Sequence, residues 1–222
     1  MKMKTVDFLD VKKYKFHPDD QNTNDVRLRE LTDLAKYLPE WGHRMEFGVF
    51  NGTTISCLAN ARPDLDFVGF DSFEGLPENW DMGSKEVKAE AFDRKGEMPN
   101  VPKNVKLVKG WFDQTLPNTL KEYSKPLSFL HLDCDVYSSS AYVLETLNFR
   151  IVPGTIIRFD ELSCWRYVFG EASPQGKANR VFYTTWKEHQ WKAMQEWLEK
   201  HNRTVVPISR NWFQGATVVV TQ

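Results

Sequence analysis

Apolar and polar positions along this chain alternate between two periodicities. Five short apolar runs, at 44–50, 65–70, 104–108, 127–133 and 155–160, are bounded by turn residues and read as buried strands. Between them the spacing lengthens to three and four. Leu28, Leu31, Ala35 and Leu38 predict a helix that Asn24 or Asp25 can cap, running to about Tyr37 and ended by Pro39 and Gly42. Further helices are expected at 53–60, 114–123, 138–149 (capped by Ser138, Ser139 or Ser140) and 186–201, the last with a core stripe of Trp191, Met194, Trp197 and Leu198. Two β-rich runs close the pattern, 203–208 and 216–221. Their connection, Ser209–Gly215, is too short for a parallel crossover, so they pair antiparallel. Strands alternating with helices and finishing in such a pair define an α/β fold.

Length and charge narrow this reading. A chain of 222 residues is expected to form one domain with a sizeable core, here 26–222, preceded by a polar tail or lid at 1–25. A net charge of −1 gives no footprint for nucleic acid or a polybasic membrane anchor. No apolar run approaches a membrane span, and Met1–Asp10 holds no signal-peptide core. Cys57, Cys134 and Cys164 fit no zinc spacing and read as reduced thiols. A cytoplasmic protein is expected. Exposed aromatics near either terminus would make it a homodimer. The connection at 72–103 is long for a compact domain and is expected to be a partly helical, lid-like insertion.

Candidate chemistry gathers at strand ends. The run 127–133 leads into Asp133 and Asp135, which share a face if the strand continues through them. Asp160-Glu161 follows the run 155–160. If the two runs are parallel neighbours, four carboxylates meet at one carboxyl-terminal edge, where open α/β sheets bind ligands. A cation, or a reaction that needs a carboxylate, would account for such a cluster. His131 shares the face of Asp133 but reads as core. The order Glu46-Phe47-Gly48-Val49-Phe50-Asn51-Gly52 is strand, acid, glycine turn and helix start, which offers N–H groups to an anionic ligand. Asp71 ends the second strand, where it either binds ribose hydroxyls or caps a turn. Trp111 and Phe112 wall a pocket for a flat ring or belong to the core.

These stretches resemble the class I S-adenosylmethionine-dependent methyltransferases, and more narrowly the macrocin O-methyltransferase group. The resemblance runs from about Arg44 to Gln222. It is carried by residues 46–52, by Asp71-Ser72-Phe73-Glu74-Gly75-Leu76-Pro77, by Leu132-Asp133-Cys134-Asp135-Val136-Tyr137-Ser138-Ser139 and by Gly154 through Glu161. It implies a Rossmann-like three-layer sandwich on a seven-stranded, mostly parallel sheet of order 3-2-1-4-5-7-6 with an antiparallel C-terminal strand. It implies cofactor contacts from Glu46, Gly48, Gly52, Thr53 and Asp71, joined by Ser72, Phe73, Gly110, Trp111 and Asp133. It implies Asp135 as general base and a Mg²⁺ ion held by Asp133, Asp160 and Glu161, the last standing where the group has aspartate. The acceptor would be a hydroxyl of a small molecule or sugar.

Two other readings compete. A nicotinamide-dependent oxidoreductase could use a similar sheet, but its G-x-G-x-x-G fingerprint is not met and the closing hairpin argues against it. A non-catalytic binding protein on the same fold would have no need to hold four carboxylates together.

Overall fold

The computed structural model describes residues 8, 10–15, 17, 19, 22–165, 168 and 183–222. In the sequence, 163–178 reads as an irregular stretch with Trp165, Tyr167 and Phe169 as pocket or interface aromatics; Tyr167 and Phe169 lie outside the described residues, and Trp165 is buried in the core. The strands are β1 (Lys12–Tyr14), β2 (His43–Phe47), β3 (Phe67–Asp71), β4 (Trp80–Asp81), β5 (Glu86–Val87), β6 (Val105–Lys109), β7 (Leu127–Leu132), β8 (Ile151–Phe159), β9 (Val205–Asn211) and β10 (Ala216–Val220). The α-helices are α1 (Thr23–Ala35), α2 (Thr53–Ala61), α3 (Phe112–Glu122), α4 (Tyr137–Leu147) and α5 (Gln190–Lys200).

Eight strands form the main sheet in the order β1-β9-β10-β8-β7-β2-β3-β6. Leaving β1 aside, this is the expected order, and β10 runs antiparallel to both β8 and β9. The strand count is one higher than expected because Lys12–Tyr14, within the stretch read as tail or lid, pairs parallel with β9 at the sheet edge. The central strand β7, Leu127–Leu132, is buried at every position, as a strand covered on both faces must be.

Alternation along the strands sorts the core into two layers. Leu130 and Leu132 of β7, with Met45 and Phe47 of β2, pack beneath Leu116 of α3, Val143 and Leu144 of α4 and Met194 and Trp197 of α5. Phe129 faces the other way, toward Leu31 and Leu34 of α1 and Ile55 and Leu58 of α2. On that second face the strands also carry a buried polar row. Glu46, His131, Arg158 and Thr217 are register partners across β2, β7, β8 and β10.

Two helix starts differ from expectation. Asn22, not Asn24 or Asp25, caps α1. Its side chain accepts the Asn24 N–H while Asp25 returns a bond to the Asn22 N–H, a reciprocal capping box. Helix α4 begins at Tyr137 after Val136 with no side-chain cap, and the serines serve elsewhere: Ser138 Oγ donates to Glu78 Oε1 at 2.6 Å. In the long connection, the regular structure is a small β4–β5 hairpin and a 3₁₀ turn at Ala89–Phe92. The hairpin is tied down by Thr185, whose Oγ1 donates to the Asp81 carbonyl at 2.6 Å, and by an apolar cluster of Trp80, Met82, Val136, Cys164, Tyr183 and Trp186. No helix among the described residues is long and apolar enough to cross a membrane.

Candidate active site

A cavity of about 990 Å³ opens at the carboxyl-terminal edge of β2, β3, β7 and β8. Its floor follows from the parallel pairing of β7 with β8, which brings Leu132 beside Phe159 and so sets the two acidic pairs side by side. Asp133, Asp135, Asp160 and Glu161 all line the cavity. Their convergence matches the expectation, but strand alternation is not what produces it for Asp135. Strand β7 ends at Leu132, and Asp135 turns in through a left-handed backbone (φ 58°).

The adjoining wall is the turn after β2. Gly48 has φ 91°, and a Cβ there would lie 1.7 Å from the Asp133 carbonyl oxygen, so glycine is required for the ends of β2 and β7 to close on each other. Asp71 ties this turn to β3. Its Oδ2 accepts the N–H groups of Val49 and Phe50 at 2.7 and 2.8 Å, and its Oδ1 accepts that of Phe73 at 2.6 Å. The carboxylate therefore organises two turns, the capping role weighed for it, while also lining the cavity.

Of the expected cofactor residues, Gly48, Thr53, Asp71, Ser72, Trp111 and Asp133 line the cavity, with Phe112 beside Trp111. Glu46, Gly52, Phe73 and Gly110 do not. Glu46 is buried behind the wall, where it accepts from Thr54 Oγ1 at 2.8 Å and pairs with His131 Nδ1 at 2.8 Å. Gly52 abuts Pro99 and Val101, and Phe73 is fully buried in the core beside α1 and α2. Gly110 donates its N–H to the Asp71 carbonyl.

The acid cluster carries cations that sequence patterning did not reveal. Arg27 of α1 reaches across from the first helix and places Nη1 2.6 Å from Asp160 Oδ2 and 3.4 Å from Asp133 Oδ2. Arg158 Nη2 lies 3.2 Å from Asp160 Oδ1 and 3.0 Å from Glu30 Oε2. His131 Nε2 lies 3.7 Å from Asp160 Oδ1, with no hydrogen-bond partner. Burial opposes ionisation of Asp160, yet Arg27, the imidazole and Arg158 outweigh it and hold that carboxyl well below its ordinary range. The other three go the opposite way. Burial, reinforced by the neighbouring acids, pushes Asp133 up to about 7 and raises Asp135 and Glu161 well above ordinary carboxyls. For His131 burial favours the neutral ring, but Glu46 and Asp160 prevail and raise it to about 9. Glu161 is further fixed by Gln190, the first residue of α5. The amide Nε2 donates to Glu161 Oε2 at 3.2 Å, and its Oε1 accepts the Glu161 N–H at 3.0 Å.

Arg27, Glu30, Arg158 and Gln190 are the site residues that sequence reading missed. Each lies in an apolar-periodic element where nothing in the spacing separates a buried ion from a solvated face. His131 was read as core, and it is buried, but as a charged partner. Its spacing of two from Asp133 was the available signal.

The sheet order with its antiparallel β10, and a ligand cavity at the tips of the parallel strands, define the class I methyltransferase fold. A family model described as a methyltransferase domain matches residues 45–162, just over half of the chain, and the chain belongs to that family. It is a class I S-adenosylmethionine-dependent methyltransferase. No curated protein matches it. Among solved structures, the calicheamicin methyltransferase CalS11 is 21% identical, with a TM-score of 0.59 over 89% of this chain and 78% of that one. The O-methyltransferase NovP is 20% identical, with a TM-score of 0.54 over 88% and 80%. The methyltransferase PaMTH1 of Podospora anserina, solved with S-adenosylhomocysteine, is 18% identical, with a TM-score of 0.56 over 93% and 83%. At these identities the likeness is one of fold.

Proposed function

We propose that this protein transfers a methyl group from S-adenosylmethionine to a hydroxyl of a small molecule or sugar. The observation that carries this reading is the meeting of Asp133, Asp135, Asp160 and Glu161 in the same cavity as the glycine turn and Asp71. O-methylation is also the reaction named for NovP. The cofactor supplies an activated methyl group, so the protein has to orient the acceptor oxygen and take its proton.

Thr53 at the start of α2, Ser72 and Asp71 offer polar groups to an amino-acid and ribose moiety. Trp111 and Phe112 offer apolar surface to a flat ring. Asp135 is the general base. Burial and the charges of Asp133 and Asp160 make it a stronger base than an ordinary carboxylate, which suits a proton acceptor working near neutral pH. Trp80, Met82 and Val87 of the hairpin, with Phe213 of the β9–β10 turn, border the acceptor side, and the insertion at 72–103 acts as its lid.

The acid cluster also fits a divalent cation. Potential ligand atoms of His131, Asp133 and Asp160 lie within 4.8 Å of one another; the protonated His131 has no lone pair to give, and the two carboxylates supply the oxygens that Mg²⁺ prefers. Asp133 and Asp160 would hold the ion, with Glu161 beyond them on Gln190. A bound Mg²⁺ supplies a Lewis acid that lowers the pKa of an acceptor hydroxyl.

The test is to titrate the protein with S-adenosylhomocysteine, with NAD as control. It is then incubated with isotopically labelled S-adenosylmethionine and a panel of sugars, phenols and catechols, with and without Mg²⁺. Binding of S-adenosylhomocysteine and a labelled methyl ether support the reading. Failure to bind S-adenosylhomocysteine removes it.

A further inference from the structure

Two different cations have a claim on the same pair of carboxylates. The reading above gives Asp133 and Asp160 to a divalent ion, and the inference here rests on that reading. In the structure those oxygens already hold Arg27, with Nη1 2.6 Å from Asp160 Oδ2 and 3.4 Å from Asp133 Oδ2. We propose that Arg27 is a built-in counterion that competes with the divalent cation, so that an ion binds Asp133 and Asp160 only when the guanidinium swings away.

Three observations support this. The first is steric and electrostatic. Mg²⁺ or Mn²⁺ needs carboxylate oxygens at about 2.1 Å, and a guanidinium on the same oxygens would sit inside its coordination shell with like charge. The second is that the far oxygen of Asp160 is already held by other groups, so one oxygen of that carboxylate is open to exchange. The buried His131 Nε2 has no hydrogen-bond partner and faces Asp160 at 3.7 Å, while Arg158 occupies the far oxygen, Asp160 Oδ1, at 3.2 Å. Asp160 Oδ2 is the oxygen left for exchange.

The third concerns what can move. Helix α1 is anchored along its buried face by Leu31, Leu34 and Ala35, and by Glu30, which pairs with Arg158 and accepts from Ser209 Oγ at 3.0 Å. Arg27 sits near the helix start, beside Thr23 and Asn24, which also line the cavity. Exchange therefore requires rotation of one long side chain and leaves the helix in place. Arg27 also lies outside residues 45–162, so the competing cation comes from a part of this chain that the family match does not cover.

The experiment is calorimetric titration with Mn²⁺ of the full chain, of Arg27→Gln, of Arg27→Lys and of Lys36→Gln, a change at the exposed end of the same helix. Arg27→Gln should bind Mn²⁺ at least tenfold more tightly than the unchanged protein, whereas Arg27→Lys and Lys36→Gln should stay within about threefold of it. Equal or weaker Mn²⁺ binding by a folded Arg27→Gln overturns the proposal. If that variant does not fold, a crystal of the unchanged protein soaked in Mn²⁺ decides. Arg27 must leave both carboxylates when the ion arrives, and an ion seated with Arg27 still in place overturns the proposal. S-adenosylhomocysteine binding is measured in parallel. If it persists while Mn²⁺ discriminates nothing, the competition is wrong and methyl transfer stands.

Discussion

Glu46 Oε2 lies 2.8 Å from His131 Nδ1, between neighbouring strands and closed off from solvent. The pair makes an imidazolium the ordinary state of a buried histidine, with a pKa near 9. Because that value is raised above the usual 6.5, the stabilisation it contributes is complete below about pH 6.5 and is lost as pH climbs through 9. Glu46→Gln should therefore destabilise the protein by about 3 kcal/mol at pH 6 and by clearly less at pH 10. Urea unfolding of both proteins at the two pH values checks this. An equal loss at both would mean that His131 is neutral throughout.

That pair also marks where the sequence stopped being legible. Glu46 was expected to contact the cofactor because of the family resemblance, and the glycine turn after it sets its position along the chain but not the direction of its carboxylate. The parallel sheet, its order and the antiparallel β10 were readable because apolar runs and connection lengths constrain topology strongly. The meeting of Asp133 with Asp160 and Glu161 was readable because it needs only that β7 and β8 be neighbours, whereas Asp135 joins them through a left-handed turn that strand alternation does not supply. Arg27 was not, because its contact spans more than a hundred residues and depends on the angle at which α1 crosses the sheet. The edge strand β1 was also missed. Lys12–Tyr14 is three residues long, too short to show alternation.

Gly48→Ala should destabilise the protein severely. The new Cβ would meet the Asp133 carbonyl oxygen at 1.7 Å, which is backbone and cannot rotate away, and the positive φ adds strain of its own. A loss of about 3 kcal/mol or more is expected, with weakened S-adenosylhomocysteine binding, since the wall of the cavity must shift. Thermal unfolding measures the first and calorimetry the second. A variant with unchanged stability would show that β2 and β7 do not close as described.

Asp71 accepts three backbone N–H groups from two turns, so its replacement acts on the shape of the site as well as on any ligand hydroxyl. Asp71→Ala leaves those donors without their acceptor and should weaken S-adenosylhomocysteine binding more than tenfold. Asp71→Asn keeps one carbonyl oxygen and should fall between. The ordering of the three dissociation constants is the check, and an alanine variant that binds as well as the unchanged protein would deny Asp71 either role.

Asp135→Asn separates catalysis from binding and from stability. The amide cannot accept the acceptor's proton, so turnover should fall by about a hundredfold or more, while S-adenosylhomocysteine affinity changes little. Burial raises the Asp135 carboxyl first, and Asp133 and Asp160 add to it. A folded-state pKa above the unfolded 3.8 means that the ionised form costs stability, and the cost grows as pH rises toward the folded value. The neutral amide escapes it, so Asp135→Asn should gain more in melting temperature at pH 8 than at pH 5. The same shift gives the unchanged enzyme a rate that climbs with pH beyond the ordinary carboxylate range as the base loses its proton. That limb should be absent from the residual rate of the variant. Retention of full turnover by Asp135→Asn, once a methylated product is in hand, would take the proton-acceptor role away from this residue and leave the raised carboxyl as a feature of packing alone.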